Sequence, residues 1–181
     1  GDPSASGPGS DWQGSRDRHH EVEDRAAVLA STSICFDLSV FEIFLPLSSG
    51  GRLILVDNVL QLPALPPSAG VSLVNTVPSA MAELLRAQRL PASVRVVALA
   101  GEPLQNALAQ ALYSSGVNAV YNLYGPSEDT TYSTAAHIAQ GHTGAIPIGR
   151  PIDNTQLYLL DRHGQAVPIG VAGELHLGGD G

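Results

Sequence analysis

Four short stretches carry side chains able to do chemistry, and each follows an apolar run that reads as a strand. They are Phe36-Asp37-Leu38-Ser39, Asn75, Ala100-Gly101-Glu102-Pro103 and Asn122-Leu123-Tyr124-Gly125-Pro126-Ser127-Glu128. The last is the richest. Tyr124 offers a flat π face, Gly125 permits close backbone approach, Ser127 brings a hydroxyl and Glu128 a hard carboxylate oxygen. That combination suits a purine nucleotide whose phosphates hold Mg²⁺, an ion that takes one or two carboxylates together with phosphate oxygens. The competing reading is a Gly-Pro turn with a surface glutamate. Asp37 stands among Phe36, Leu38 and Phe41, where a carboxylate is costly unless something pairs with it. Its alternative role is to favour the N-terminus of the helix that follows.

Other chemistries find no residues to carry them. The chain has no His-Glu-x-x-His, no paired cysteines, no Gly-x-Ser-x-Gly elbow and no dinucleotide-binding glycine fingerprint. All nine basic residues are Arg, which removes Schiff-base chemistry and any phosphate loop that works through a lysine ammonium. A net charge of -8 argues against a nucleic-acid surface, which must neutralise phosphates. No apolar stretch approaches the roughly 20 residues of a membrane span. Cys35 is the single cysteine, so no internal disulfide is expected, and with no leader-like apolar run at the start the default compartment is the reducing cytoplasm.

The elements that position these stretches follow from hydrophobic patterning. Hydrophobic residues make up 44% of the 181 and charged residues 14%, a balance that builds a core. Residues 1–25 stand apart: Gly, Ser and Pro, then charged residues and the His19–His20 pair, bury too little to offset ordering entropy and predict a flexible tail. From Ala26 onward strands are expected at Val28 to Ile34, Arg52 to Val56, Val71 to Asn75, Val94 to Ala100 and Val117 to Asn122. Helices are expected at about Ser39 to Leu47, Pro78 to Ala87 and Pro103 to Tyr113. The run from Asp57 to Gly70, with Pro63, Pro66 and Pro67, reads as a loop. Single helices between short apolar strands imply βαβ units and a parallel sheet covered on both faces. Thr130 to Ile138, Thr155 to Leu160 and Glu174 to Leu177 follow without helices, with a hairpin corner at Asp161-Arg162-His163-Gly164. The fold class is therefore α/β, a largely parallel sheet leading into an antiparallel β region. In such sheets ligands bind beyond the carboxyl ends of the strands, where all four polar stretches fall.

Asn122-Leu123-Tyr124-Gly125-Pro126-Ser127-Glu128 closely resembles the Asn-x-Tyr-Gly-Pro-Thr-Glu motif of nonribosomal peptide synthetase adenylation domains. Phe36-Asp37-Leu38-Ser39-Val40-Phe41-Glu42 is similar to their Phe-Asp-x-Ser segment, and Gly173-Glu174-Leu175-His176-Leu177-Gly178-Gly179-Asp180-Gly181 to their Gly-Glu-Leu segment. The three stand in the family's order, with Ala100-Gly101-Glu102 between the first two, and the resemblance covers about residues 24–181. It implies activation of an amino acid by ATP and Mg²⁺ to an aminoacyl adenylate. Transfer to phosphopantetheine on a peptidyl carrier domain follows, beside a condensation domain in the parent synthetase. By the same resemblance Tyr124 would stack on adenine and Asn122 would meet its edge. Gly101, Glu102, Pro103 and Gly125 would complete the nucleotide site, Ser127 would meet phosphate in place of the usual Thr, and Glu128 would hold Mg²⁺. Asp37 would receive the substrate α-ammonium. Leu38, Phe41, Asn75, Ala98, Ala100, Leu123, Thr131 and Tyr132 would line the side-chain pocket, a set like that of alanine-activating members except that Ala98 stands where Asn is expected.

The implied substrate is a small neutral amino acid, alanine first and glycine second. Two other classes are weighed beside it: an aryl- or fatty-acid-activating relative, against which Asp37 speaks because such substrates lack an ammonium, and a non-catalytic chain that binds a nucleotide or a partner. The family's Lys-bearing phosphate loop, its ribose-binding Asp in a Tyr-Arg/Lys-Thr-Gly-Asp segment and its C-terminal Lys are not among the 181 residues. The resemblance therefore implies a central fragment of the large adenylation subdomain that forms no adenylate at a useful rate alone.

Overall fold

The computed structural model describes residues 27–180; the tail expected at residues 1–25, with its His pair, lies outside them. Five parallel strands form the body of a seven-stranded sheet: β1 (Ala27–Ala30), β2 (Arg52–Leu55), β3 (Leu73–Thr76), β4 (Val96–Leu99) and β5 (Ala119–Tyr124). β6 (Thr134–Ile138) and β7 (Arg150–Pro151) extend it antiparallel, giving the order β2-β1-β3-β4-β5-β6-β7. β8 (Thr155–Leu160) and β9 (Glu174–Gly179) pair antiparallel in a second, two-stranded sheet. The α/β reading with its antiparallel continuation thus describes the molecule.

Burial on both faces explains the unbroken apolar strands. Leu29, Val74, Val97 and Val120 point to one face, where they pack with Met81 and Leu84 of α2 (Pro78–Arg86) and with Ala109 and Leu112 of α3 (Asn106–Ser114). Their neighbours Val28, Leu73 and Val96 point to the other, against Phe41 and Leu45 of α1 (Leu38–Ser49). The sheet is thus sandwiched between one helix and two. Chain direction around the sheet reverses between β1 and β3, since β2 lies outside β1 while β3 to β5 run the other way. That reversal opens a crevice at the carboxyl ends of β1 and β3, the ligand position of doubly wound sheets.

Several boundaries differ from the sequence expectation, each for a local reason. The first strand stops at Ala30, not Ile34, because the Glu42 carboxylate of α1 takes the next amides, Ser31 N at 2.8 Å and Thr32 N at 3.0 Å, from the ladder. The third helix begins at Asn106, not Pro103, with Gln105 still extended and Leu104 anchored in the core. The proline-rich run contains two 3₁₀ turns, Val59–Ala64 and Pro67–Ala69, the first capped by Asn58 Oδ1 accepting from Leu60 N. The strand expected from Thr130 begins at Thr134, since Thr130 and Thr131 adopt φ of 53° and 75°. Two-residue β7 is too short to leave a periodic signal. The corner at Asp161 forms as expected, its Oδ1 accepting from His163 N and Gln165 N, and β9 starts at Glu174 as expected but runs on to Gly179 rather than Leu177.

Candidate active site

Asp37 sits directly before α1, yet its side chain makes no capping bond to that helix. Oδ2 instead accepts from Ser127 Oγ at 2.5 Å, across 90 residues of sequence. The backbone carbonyl of Asp37 accepts from Thr131 Oγ1 at 3.2 Å. Oδ1 is buried and has no hydrogen-bond partner in the structure. A buried carboxylate oxygen left unmet is a costly arrangement that a cationic ligand group would relieve.

An apolar wall lies beside that oxygen. Leu38, Ala100 and Tyr132 form one buried cluster with Phe41 and Leu123 packed against it, and the Phe41 and Tyr132 rings meet edge to face at 5.4 Å. Tyr132 Oη donates to Asn75 Oδ1 at 2.8 Å, and Asn75 Nδ2 donates to Glu42 Oε1 at 3.4 Å. Burial, the largest influence, pushes the Tyr132 phenol well above its ordinary pKa. Ala98 stands opposite Asn75 in the β3–β4 register. Thus α1, three strand ends and the loop after β5 bring together every side chain expected to meet the amino acid.

Glu42 is the residue that sequence reasoning passed over as a working part. It is fully buried, and its two oxygens accept from Ser31 N, Thr32 N, Thr32 Oγ1 and Asn75 Nδ2. A signal was present: an acidic residue between Phe41 and Ile43 on an otherwise apolar helix must be buried with donors or break the pattern.

The residues expected at a nucleotide follow the ends of β4 and β5. Gly101 has φ 79° and is exposed, as is Pro103. The Glu102 carboxylate reaches back to the start of α2, accepting from Ser79 N at 2.9 Å and Ser79 Oγ at 2.8 Å, so this segment has its backbone left to offer a ligand. Asn122 is buried and donates to the Pro147 carbonyl at 2.8 Å. Tyr124 is 39% exposed at the end of β5, leaving ring surface for stacking. A Cβ on Gly125 would lie 2.7 Å from Ser133 N and Thr131 O; the close approach here is to the chain itself. Ser127 and Glu128 are exposed on a one-turn 3₁₀ segment, Ser127–Asp129.

Consecutive β-branched residues at positive φ, Thr130 and Thr131, are sterically costly, and Thr131 is buried as well. Against that strain, the hydrogen bonds from Ser127 and Thr131 to Asp37 hold the 127–132 loop to the start of α1. Among the described residues no group of three or more His, Cys, Asp or Glu is placed to hold a metal ion. The exposed Glu128 carboxylate has the chemistry of a Mg²⁺ ligand where phosphate oxygens and water supply the rest.

A family model described as AMP-binding enzyme matches residues 10–181. The chain belongs to the AMP-binding enzyme family. A linear gramicidin synthase polypeptide of Brevibacillus parabrevis is 61% identical over 161 residues, covering 88% of this chain and 3% of that protein. The AMB antimetabolite synthetase AmbB of Pseudomonas aeruginosa is 48% identical over 174 residues, covering 94% of this chain and 14% of the relative. A solved four-domain nonribosomal peptide synthetase bound to AMP and glycine superposes with a TM-score of 0.78 at 34% identity, over 90% of this chain and 12% of that one. Within the AMP-binding enzymes the chain is of the nonribosomal peptide synthetase adenylation type, an adenylate-forming ligase family. It spans a small part of the length of each of these relatives.

Proposed function

We propose that this chain supplies the amino-acid pocket and the adenine side of an adenylation domain that activates a small neutral amino acid, alanine first and glycine second. One observation carries the reading: the unmet, buried Oδ1 of Asp37 stands beside the compact wall of Leu38, Phe41, Ala100, Leu123 and Tyr132. An α-ammonium satisfies the first, and a short uncharged side chain fits the second. Glycine in the solved synthetase of TM-score 0.78, and glycyl-adenosine-5'-phosphate in the Vibrio cholerae adenylation domain AlmE, 27% identical with a TM-score of 0.71, support the substrate size. One methylene is worth about 1–3 kcal/mol, so glycine competes with alanine in such a pocket.

In the proposed reaction a carboxylate oxygen of the amino acid attacks the ATP α-phosphorus, the bond to the bridging oxygen breaks, and pyrophosphate leaves. The protein's contribution is position and charge. Asp37 fixes the ammonium end, so the carboxylate end points toward Ser127 and the loop after β5. Tyr124 offers its ring to adenine, and the Gly101–Pro103 backbone lines the other side of the slot. Ser127 presents a hydroxyl to phosphate, and Glu128 would bind Mg²⁺, which offsets the negative charge of the phosphates. Phosphopantetheine on a peptidyl carrier domain would then take the aminoacyl group, beside a condensation domain of the parent synthetase. The reducing cytoplasm, where ATP is supplied and the lone Cys35 thiol persists, is the proposed compartment.

The test uses an adenylation domain carrying this segment together with its phosphate loop and C-terminal subdomain. Amino-acid-dependent pyrophosphate exchange should be greatest with alanine, and Asp37→Ala should abolish it while binding of an ATP analogue persists. Unchanged exchange in that variant, or phenylalanine activated ahead of alanine, would overturn the reading. Exchange driven by an aryl or fatty acid, or nucleotide binding with no exchange under any acid, would assign one of the other two classes.

A further inference from the structure

Ser127 lies between the two halves of the site, and its hydroxyl is committed to the amino-acid half. It donates to Asp37 Oδ2 at 2.5 Å, a charge-assisted bond of the shorter kind. The same loop holds Asp37 a second time, through Thr131 Oγ1 on its carbonyl. With Oδ2 engaged, the carboxylate plane is set and Oδ1 is the oxygen left buried and unmet. The following residue, Leu38, is part of the apolar cluster, so the orientation of this carboxylate decides whether an ammonium and a side chain can be seated together. No side-chain capping bond to α1 competes for it.

We propose that Ser127 is a positioning residue for the amino-acid subsite, acting through Asp37, in addition to any contact it makes with phosphate. The inference rests on the proposed function and names how its two subsites are joined. The Ser127 hydroxyl has a single proton, so a phosphate drawing on it from the nucleotide side competes with Asp37 for it, and occupation of one subsite is felt at the other. The side chain needed is a hydroxyl at position 127, which either Ser or Thr provides.

The experiment measures KM for alanine and for ATP separately, by pyrophosphate exchange, in the complete adenylation domain. Ser127→Ala should raise KM for alanine about ten-fold, the scale of one hydrogen bond to a charged group at a partly exposed site, with a smaller change in KM for ATP. Ser127→Thr should restore the wild-type value. In an Asp37→Asn background, Ser127→Ala should add little to the rise in KM for alanine, since its route is already removed. A Ser127→Ala effect confined to KM for ATP, no rescue by Thr, or full additivity with Asp37→Asn would each overturn the proposal. The split with its rescue decides the matter where the double variant turns over too slowly to measure. A wild-type domain with no alanine-dependent exchange would instead sink the underlying function, which separates the two failures.

Discussion

At the scale of single residues, most buried polar groups of the site have a partner, and a few among the described residues, Asp37 Oδ1 with Asp129 Oδ2 and Ser133 Oγ, have none. Glu42 is of the first kind. Four donors converge on its carboxylate, and through Asn75 it holds the phenol of Tyr132. Asp37 Oδ1 is of the second, and the expected loss of exchange in Asp37→Ala rests on it. Tyr132 adds a pH dependence. Burial raises its folded pKa above the unfolded value of about 10, so the neutral phenol's contribution is fully present below about pH 10. It is lost as pH rises toward the folded value. Stability of the domain should therefore fall from about pH 10 upward, and Tyr132→Phe should flatten that alkaline limb in denaturant titrations. An unchanged slope in the variant would show that another group governs it.

At the scale of elements, the crevice depends on where strands are stopped and turned. Glu42 ends β1, and positive φ at Thr130 and Thr131 turns the chain back over the strand ends. The β6–β7 junction is equally exacting. Gly149 has φ 95°, and a Cβ there would fall 2.0 Å from the Ala135 carbonyl oxygen. Gly149→Ala should cost roughly 2–5 kcal/mol, summing left-handed backbone strain and forced separation from β6. Equilibrium unfolding of the complete domain checks this, and a loss under about 1 kcal/mol would mean that the junction relaxes freely. Because Thr134 Oγ1 also donates to the Ile148 carbonyl at 2.7 Å, the same substitution should disturb the loop that carries Tyr132.

At the scale of the whole molecule, one face of α1 stands apart from the rest. Val40, Phe44 and Leu47 recur at helical spacing and are 45%, 62% and 59% exposed, with Ile34 and Leu55 exposed as well. Together they give the described residues an apolar surface that favours self-association, next to β2, which is the edge strand of the sheet among those residues. Phe44→Asp should raise the monomeric fraction of the isolated chain in sedimentation velocity without lowering its melting temperature, because Phe44 contributes little to either core. A monomer fraction unmoved by the substitution would place the association elsewhere. No helix of the described residues is long and apolar enough to cross a membrane.

Much of this was legible in the residues themselves. Apolar runs of five to seven residues separated by single helical patterns specify buried parallel strands, because only strands covered on both faces are apolar at every position. Strand ends are places where polar residues interrupt such runs, so Asp37, Asn75, Gly101 and Asn122 could be put at one edge of one sheet without coordinates. The residue types there, Tyr124 before a Gly-Pro and Ser127 and Glu128 after it, also raised a purine nucleotide with Mg²⁺ beside the reading of a plain surface turn. What remained hidden depends on partners far apart in the chain: the hold of Ser127 on Asp37 across 90 residues, the Glu42 carboxylate that shortens β1, and the use of Gly125 to admit its own chain. Local propensity carries no information about such meetings. Sequence by itself determined most of the elements, their alternation and the edge where the candidate site residues gather, because those follow from periodicity and burial. Only the tertiary structure decided which oxygen of Asp37 is left free, since that depends on side chains converging from separate strands.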